Sequence, residues 1–321
     1  MKKVEISALK KPVSCIALGT DGFGVGKSVT AAEELLDMYV ENGGNVIDSA
    51  RMYGRPDAGE YGICEGVVGA WMARRGNRGE LVLSTKGGFP AVDGARRLDR
   101  ESLMHDVQAS REALQTEYID IWWLHRDDAD RPVADIMDTL NEMIARGWVG
   151  CVGASNWSPA RIREANAYAA ANGLRGFEGN QPQWSLARQV VNPDPTLQIM
   201  DGETYGLHCE TNMLCMPFSA QAKGYLAKLV SAGEDALSSK AKARFHFPEN
   251  IAIAQKMRTM CEEMCCSPAA LSLAWLTNQP FATVPIISAS RPEQLLDSLS
   301  AGDIVLTKAQ TDALRIMKQV M

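Results

Sequence analysis

Short apolar runs, each closing on a polar residue or a glycine, recur along the chain at 15–20, 45–48, 81–86, 119–125, 149–155, 177–181, 211–218 and 282–288. Runs of this length, rich in Val, Ile, Leu and Trp and bounded by turn residues, predict buried strands of a parallel sheet. Between most of them apolar residues recur at helical period, which predicts helices over 31–40, 62–74, 100–114, 136–146 and 159–171. Strand and helix therefore alternate eight times, and the expected fold is α/β: a (β/α)8 TIM barrel forming a single domain over residues 1–321. The last interval between strands is about twice as long as the others. It reads as an insertion before the last strand, with loop material at 231–248 and helices at 251–264 and 268–278. Residues 4–13 leave room for an N-terminal hairpin, and 307–319 reads as a final helix.

Composition narrows the class without changing the fold. With 46% hydrophobic and 22% charged residues, the chain is neither disordered nor fibrous. A net charge of -6 offers no basic footprint, so nucleic acid is not an expected partner. No apolar run reaches the roughly 18 residues of a membrane span, and the Met1-Lys2-Lys3 start leads to Glu5 and Lys10-Lys11 rather than to an apolar signal core; the expectation is a cytoplasmic protein with no membrane partner. Eight cysteines are too few for a disulfide scaffold in a chain of this size. Cys261, Cys265 and Cys266 lack further ligands at metal spacing and read as a helix face, so no metal is expected.

Barrel chemistry gathers where strands end, and the strand ends here are informative. Asp48 closes the second strand, Tyr53 follows in the loop, Lys86 closes the third strand and His125 the fourth. Taken singly, each has a plain reading: a turn cap, a surface ring, a structural lysine, a core histidine. Taken together they would leave costly polar groups near a core unless they pair with one another. A phenol with a pKa of about 10 is a poor proton donor near neutrality, and burial raises that value. A lysine cation about 4 Å away is worth on the order of 4 kcal/mol at an effective dielectric of about 20, more than the roughly 2.7 kcal/mol needed to lower a pKa by about two units. Asp48 would keep Lys86 charged, and His125 would orient a carbonyl oxygen or relay its proton. The set suits delivery of a proton to a developing alkoxide.

Asp48-Ser-Ala-Arg-Met-Tyr53-Gly, Leu83-Ser-Thr-Lys86 and Ile119-Asp-Ile-Trp-Trp-Leu-His125 resemble the catalytic segments of the aldo-keto reductase family, in the same order and strand placement. Gly153-Ala-Ser-Asn156-Trp, Gln181-Pro-Gln-Trp184-Ser-Leu, Pro217-Phe-Ser-Ala-Gln-Ala-Lys-Gly224 and Pro285-Ile-Ile-Ser-Ala-Ser-Arg-Pro-Glu-Gln294 resemble its coenzyme-binding segments. The resemblance implies hydride transfer between a nicotinamide coenzyme and a carbonyl or alcohol, with Tyr53 as general acid, Lys86 and Asp48 as its tuning pair and His125 on the substrate oxygen. It further implies that Ser155, Asn156 and Gln181 hold the carboxamide and that Phe218 stacks on the nicotinamide. Ser219, Ala220, Gln221 and Gly224 would lie near the pyrophosphate with Lys228 as a cation. Ser288, Ser290 and Gln294 would line the adenosine end, next to Asp297 and Ser298, and Thr20 and Asp21 at the end of the first strand join the coenzyme set. Ser288 and Ser290 stand where many members carry the cation for the 2'-phosphate of NADP; the nearest cation is Arg291, with Arg244 of the long insertion as one that could reach across. NADP is the expected coenzyme and NAD the alternative.

Substrate contacts rest on proximity alone: Phe23, Met52, Phe89, Arg126 and Trp157 follow the strand ends. For Arg126 an ion pair with Asp127 or Asp128 is favoured over capture of an acidic substrate, and of Trp122 and Trp123 at least one is expected in the core. Gly22-Phe-Gly-Val-Gly26-Lys27-Ser28 imitates a phosphate-binding P-loop, but Asp21 stands where its first glycine is required. The reading is therefore an NAD(P)-dependent oxidoreductase. A redox-sensing regulatory subunit without turnover is the second reading, and an aldolase with Lys86 as Schiff-base nucleophile the third.

Overall fold

The computed structural model describes residues 1–54, 61–189 and 194–315. An antiparallel hairpin of β1 (Lys3–Val4) and β2 (Val13–Ser14) precedes eight parallel strands: β3 (Ala17–Gly19), β4 (Val46–Asp48), β5 (Val82–Gly87), β6 (Ile119–Leu124), β7 (Val149–Ser155), β8 (Gly179–Gln181), β9 (Leu214–Cys215) and β10 (Ile286–Ile287). The hydrogen-bonded order runs β10-β3-β4-β5-β6-β7-β8-β9. The ring closes where Cys215 N donates to Ala282 O, Val284 N to Cys215 O and Ile286 N to Pro217 O, all within 2.9 Å. The fold is the expected (β/α)8 TIM barrel.

The helices pack outside this ring. They are α1 (Val29–Glu41), α2 (Ile63–Arg75), α3 (Arg100–Ala113), α4 (Val133–Ala145), α5 (Pro159–Ala171) and α6 (Gly202–Thr211), then α7 (Tyr225–Ala232), α8 (Ser239–Phe245), α9 (Pro248–Met264) and α10 (Pro268–Thr277), and last α11 (Pro292–Ser300) and α12 (Lys308–Leu314). Local chemistry sets many of the starts. Ser28, Asp99, Ser158, Asp201, Ser238, Ser267 and Thr307 each accept the amide three residues on, satisfying a donor that the first turn leaves unpaired. Ser28, from the P-loop look-alike, is one of these caps.

Several expected boundaries move. The strand expected over 211–218 shrinks to β9, because Thr211 still belongs to α6, and the one over 282–288 shrinks to β10. Residues 231–248, read as loop, hold the end of α7, a 3-10 turn at Glu234–Ala236 and all of α8. These helices are too short for periodicity to announce. The last helix ends at Leu314, and the remainder of the expected 307–319 segment lies outside the described residues.

Two apolar layers follow from the strand alternation. Val13, Ala17, Val46, Val82, Ile121, Trp123, Cys151, Leu214, Met216 and Val284 fill the barrel, and Val4, Ile6, Ala8 and Leu9 of the hairpin segment pack against them. The other cluster lies between barrel and helices and includes Trp122, so both tryptophans of β6 are core. Trp123 reaches so far across the interior that a Cβ on Gly153 would lie 2.2 Å from its ring, and one on Gly179 2.7 Å. Glycines on β7 and β8 thus make room for the indole.

Tyr39 of α1 fastens this layer to the barrel floor. Its fully buried hydroxyl lies 2.7 Å from Ile16 O and 2.8 Å from Ser14 Oγ, and it accepts from Val46 N at 3.0 Å. Tyr39→Phe should destabilise the protein by about 1–3 kcal/mol, because Val46 N would be left buried without that partner. Urea unfolding measures it; an unchanged midpoint would show that the hydroxyl contributes nothing.

Candidate active site

Period-two alternation on neighbouring strands aims one polar set into the top of the barrel. Asp48 pairs in register with Ser84, Lys86 with Trp123, and Ser155 with Gln181. The ammonium of Lys86 lies 2.5 Å from Asp48 Oδ2, donates to Ser49 O at 2.7 Å and lies 3.3 Å from Tyr53 Oη. The second oxygen of Asp48 accepts from Ser84 Oγ at 2.7 Å and Gln181 Nε2 at 2.9 Å, and Ser84 in turn accepts from Trp123 Nε1. The Lys86–Asp48 pair is almost fully buried, with side-chain exposures of 2% and 1%. Tyr53 stands edge-on to the His125 ring at 5.9 Å, and Phe89 edge-on to the same ring at 5.0 Å. Asp48, Tyr53, Lys86 and His125 therefore meet at one rim.

The electrostatics differ in one respect from the sequence argument. Burial works against the Lys86 ammonium, but Asp48 and Tyr53 outweigh it and hold the amine above the ordinary lysine range. Burial pushes the Tyr53 phenol up; Lys86 is the main opposing influence and does not overcome it. The expected net lowering of the Tyr53 pKa is thus corrected. A lone cation at this distance would be worth about 5 kcal/mol at an effective dielectric of about 20, but a carboxylate in contact with that cation cancels much of its field. His125 is pushed well below the ordinary histidine range by burial, then by Lys86 and Arg126, so its imidazole is neutral at neutral pH. Its buried Nδ1 has no hydrogen-bond partner among the described residues.

A cleft of about 800 Å³ runs from these residues across the β9–β10 side of the barrel, within the usual span of roughly 300–1,000 Å³ for ligand sites. Its walls include Asp48 and Tyr53 at one end, and Asp21, Phe218, Ser219, Ala220, Gln221, Gly224, Lys228, Ser288, Ser290, Gln294, Asp297 and Ser298 along its length. Gln221 Nε2 donates to Ser298 Oγ at 2.9 Å, joining the two walls. Lys223 also lines the cleft and was missed from the sequence. Ser219, Ala222 and Lys223 hold left-handed backbone conformations (φ 54°, 47° and 55°), a strain of about 1–3 kcal/mol each that concentrates at functional sites.

Thr20, Ser155, Asn156, Gln181, Arg291 and Arg244 are not among the residues that line the cleft. Thr20 is fully buried and donates to Ser49 Oγ rather than facing the cleft. Ser155 Oγ donates to Gln181 O, while Asn156 donates to His125 O and Ser155 Oγ and accepts from Gln198 N. Gln181 retains a buried Oε1 with no partner among the described residues. Arg291 caps α11 outside the lining, and Arg244 lies over the Phe245 ring.

None of the five substrate candidates lines the cleft. Phe23 and Trp157 are closed into the core, Trp157 against Phe177 with its Nε1 donating to Arg126 O, so neither presents a face to the mouth. Met52 and Phe89 are half-buried beside the rim where Tyr53 and His125 meet. Arg126 neither pairs with Asp127 or Asp128 nor stands free: it donates to His125 O and Thr196 Oγ1, lies 3.7 Å from Asp194 and rests over the Phe89 ring. Asp127 is taken by Arg161 and Asp128 by Arg131.

Because the unfolded chain protonates His125 near pH 6.5 and the folded chain does so only at lower pH, acid favours unfolding. The stability involved is fully present above about pH 6.5 and is lost as pH falls toward the folded-state value. His125→Asn should therefore lose less of its urea midpoint between pH 7 and pH 5 than the wild type loses. Equal losses would contradict a neutral buried ring.

A sequence profile described as the aldo/keto reductase family matches residues 15–319. Norsolorinic acid reductase of Aspergillus flavus is 29% identical over 313 residues, covering 93% of this chain and 76% of its own. An uncharacterized oxidoreductase of Bacillus subtilis, YrpG, is 27% identical over 320 residues, covering 96% and 92%. A probable voltage-gated potassium channel subunit beta of Arabidopsis thaliana is 26% identical over 297 residues, covering 88% and 85%. Among the described residues no helix is long and apolar enough to cross a membrane, and no cluster of His, Cys, Asp or Glu could hold a metal ion. A barrel of eight parallel strands, the polar set at its rim and a family profile spanning nearly the full length agree: the chain belongs to the aldo/keto reductase family, and its relatives include a reductase and an oxidoreductase.

Proposed function

We propose that the protein interconverts an aldehyde or ketone with its alcohol, using a nicotinamide dinucleotide, and that one barrel domain carries the whole activity. The observation that carries this reading is the Lys86 ammonium set 3.3 Å from the Tyr53 hydroxyl at the end of the long cleft. The residues fit such a coenzyme. The buried, unpartnered Gln181 Oε1 offers an acceptor for a carboxamide, Phe218 offers a ring face, and Lys223 and Lys228 offer charge for phosphates.

When bound, the coenzyme supplies or takes the hydride. Tyr53 Oη gives its proton to the carbonyl oxygen as negative charge develops there. Burial keeps that proton on the phenol at neutral pH, as reduction requires, while Lys86 stabilises the phenolate left behind. Asp48 holds Lys86 charged and in place. His125, neutral, hydrogen-bonds the substrate oxygen without competing to protonate it. A Lys86 locked as an ammonium against Asp48 and Ser49 O is a poor nucleophile, which argues against Schiff-base chemistry.

NADP remains the coenzyme we propose. Arg291 and Arg244 lie off the lining, which leaves its 2'-phosphate to Lys223, Lys228 and the hydroxyls of Ser288 and Ser290. The plant relative's name supports a second reading, a coenzyme-binding regulatory protein without significant turnover.

Tyr53→Phe should lower turnover of an aldehyde and ketone panel by about 100-fold or more and leave NADPH affinity within about twofold, since it removes a proton donor and not a binding surface. Wild-type-like turnover in the variant would overturn the assignment of the acid, and an inactive wild type that binds NADPH would favour the regulatory reading. Fluorescence titration should show NADPH binding more tightly than NADH; the reverse order would make NAD the coenzyme.

A further inference from the structure

The connection that carries Tyr53 leaves β4 and is fastened to β5 through Arg51. Arg51 N donates to Lys86 O at 2.9 Å, and Arg51 O accepts from Gly62 N at 2.7 Å. The Arg51 guanidinium lies 3.3 Å from Glu65 Oε2 on α2, and Glu65 is fully buried. The other oxygen of Glu65 accepts from Thr85 Oγ1 at 2.6 Å. Thr85 immediately precedes Lys86, and alternation along β5 turns Thr85 outward where Lys86 turns inward.

One buried carboxylate thus holds the strand that presents the ammonium and, two residues from Tyr53, the turn that presents the phenol. Gly62 is shaped for this crossing: it has φ +82°, and a Cβ there would lie 1.9 Å from Arg51 Nη1. An isolated charge in this place is costly, and an apolar residue would pack against the neighbouring Cys64 and Val68 without that cost. Either contact alone would explain a structural clamp. The two contacts together span the Tyr53–Lys86 gap from outside the barrel.

We propose that Glu65 and Arg51 are positioning residues that set the distance between the Tyr53 hydroxyl and the Lys86 ammonium by tying both to one point on α2. This rests on the reading of Tyr53 and Lys86 as the proton-handling pair. Neither Glu65 nor Arg51 lines the cleft, and both act only through that gap.

Glu65→Gln and Arg51→Ala should each lower kcat about tenfold or more while NADPH affinity and KM stay within about twofold, and Arg51→Lys should recover part of the loss. Added to Tyr53→Phe, neither substitution should cost anything further, because the group they position is gone. Equal losses in both backgrounds, or an unchanged kcat in a folded variant, would overturn the proposal. Tyrosine labelled at 13Cζ, with Tyr53 assigned by Tyr53→Phe, gives a readout that needs no turnover. Displacement of the Tyr53 resonance in Glu65→Gln supports the proposal, and a wild-type position overturns it. That measurement separates failure of this inference from an inactive wild type, which would overturn only the proposed reaction. Should Glu65→Gln not fold, Thr85→Val, which removes only the Thr85 arm, carries the same two readouts with the same outcomes.

Discussion

The architecture is organised around one buried ion pair. Lys86 and Asp48 sit in contact and almost fully buried, and each would be very costly to bury alone. Ser84 and Gln181 satisfy the carboxylate and the Ser49 carbonyl satisfies the ammonium, so strands β4, β5 and β8 all end on the same two charges. A slip of one residue in β4 or β5 would turn one charge out toward the helices and leave the other unpaired. Register, barrel closure and chemistry are therefore specified together. Such a pair contributes little net stability, and its value lies in the field and geometry it fixes at the rim.

That field acts on two groups in different ways. On the Tyr53 hydroxyl, burial and the ammonium pull in opposite directions. On the His125 imidazole, burial and the same ammonium both favour the neutral form. A single cation, partly cancelled by its own counter-ion, thus serves both groups.

The barrel and its polar rim were legible because both are written in short-range pattern. Strand alternation with a polar closing residue placed Asp48, Lys86 and His125 at a common end, and motif order assigned their surroundings. What the sequence hid was set by contacts distant in the chain. Phe23 and Trp157 follow strand ends exactly as a mouth residue would, and only packing against α2 and against Phe177 shows them to be core. Arg126 found Asp194 and Thr196 rather than its acidic neighbours because the segment after β8 crosses over it. Lys223 carries no signal beyond a glycine ahead of a short helix, since its left-handed conformation is invisible in sequence. Glu65 was detectable: it falls on the buried side of α2 together with Cys64 and Val68, where a charge calls for explanation.

The ring of strands is not equally strong all the way around. At β5–β6–β7 the strands are six or seven residues long, whereas β9 and β10 have two residues each and meet through a few irregular bonds. The cleft straddles this thin join, with Phe218 to Lys228 on one bank and Ile286 to Ser298 on the other. A long ligand lying there would act as a rivet across the weakest hoop of the cask, adding its binding free energy to the closure of the ring.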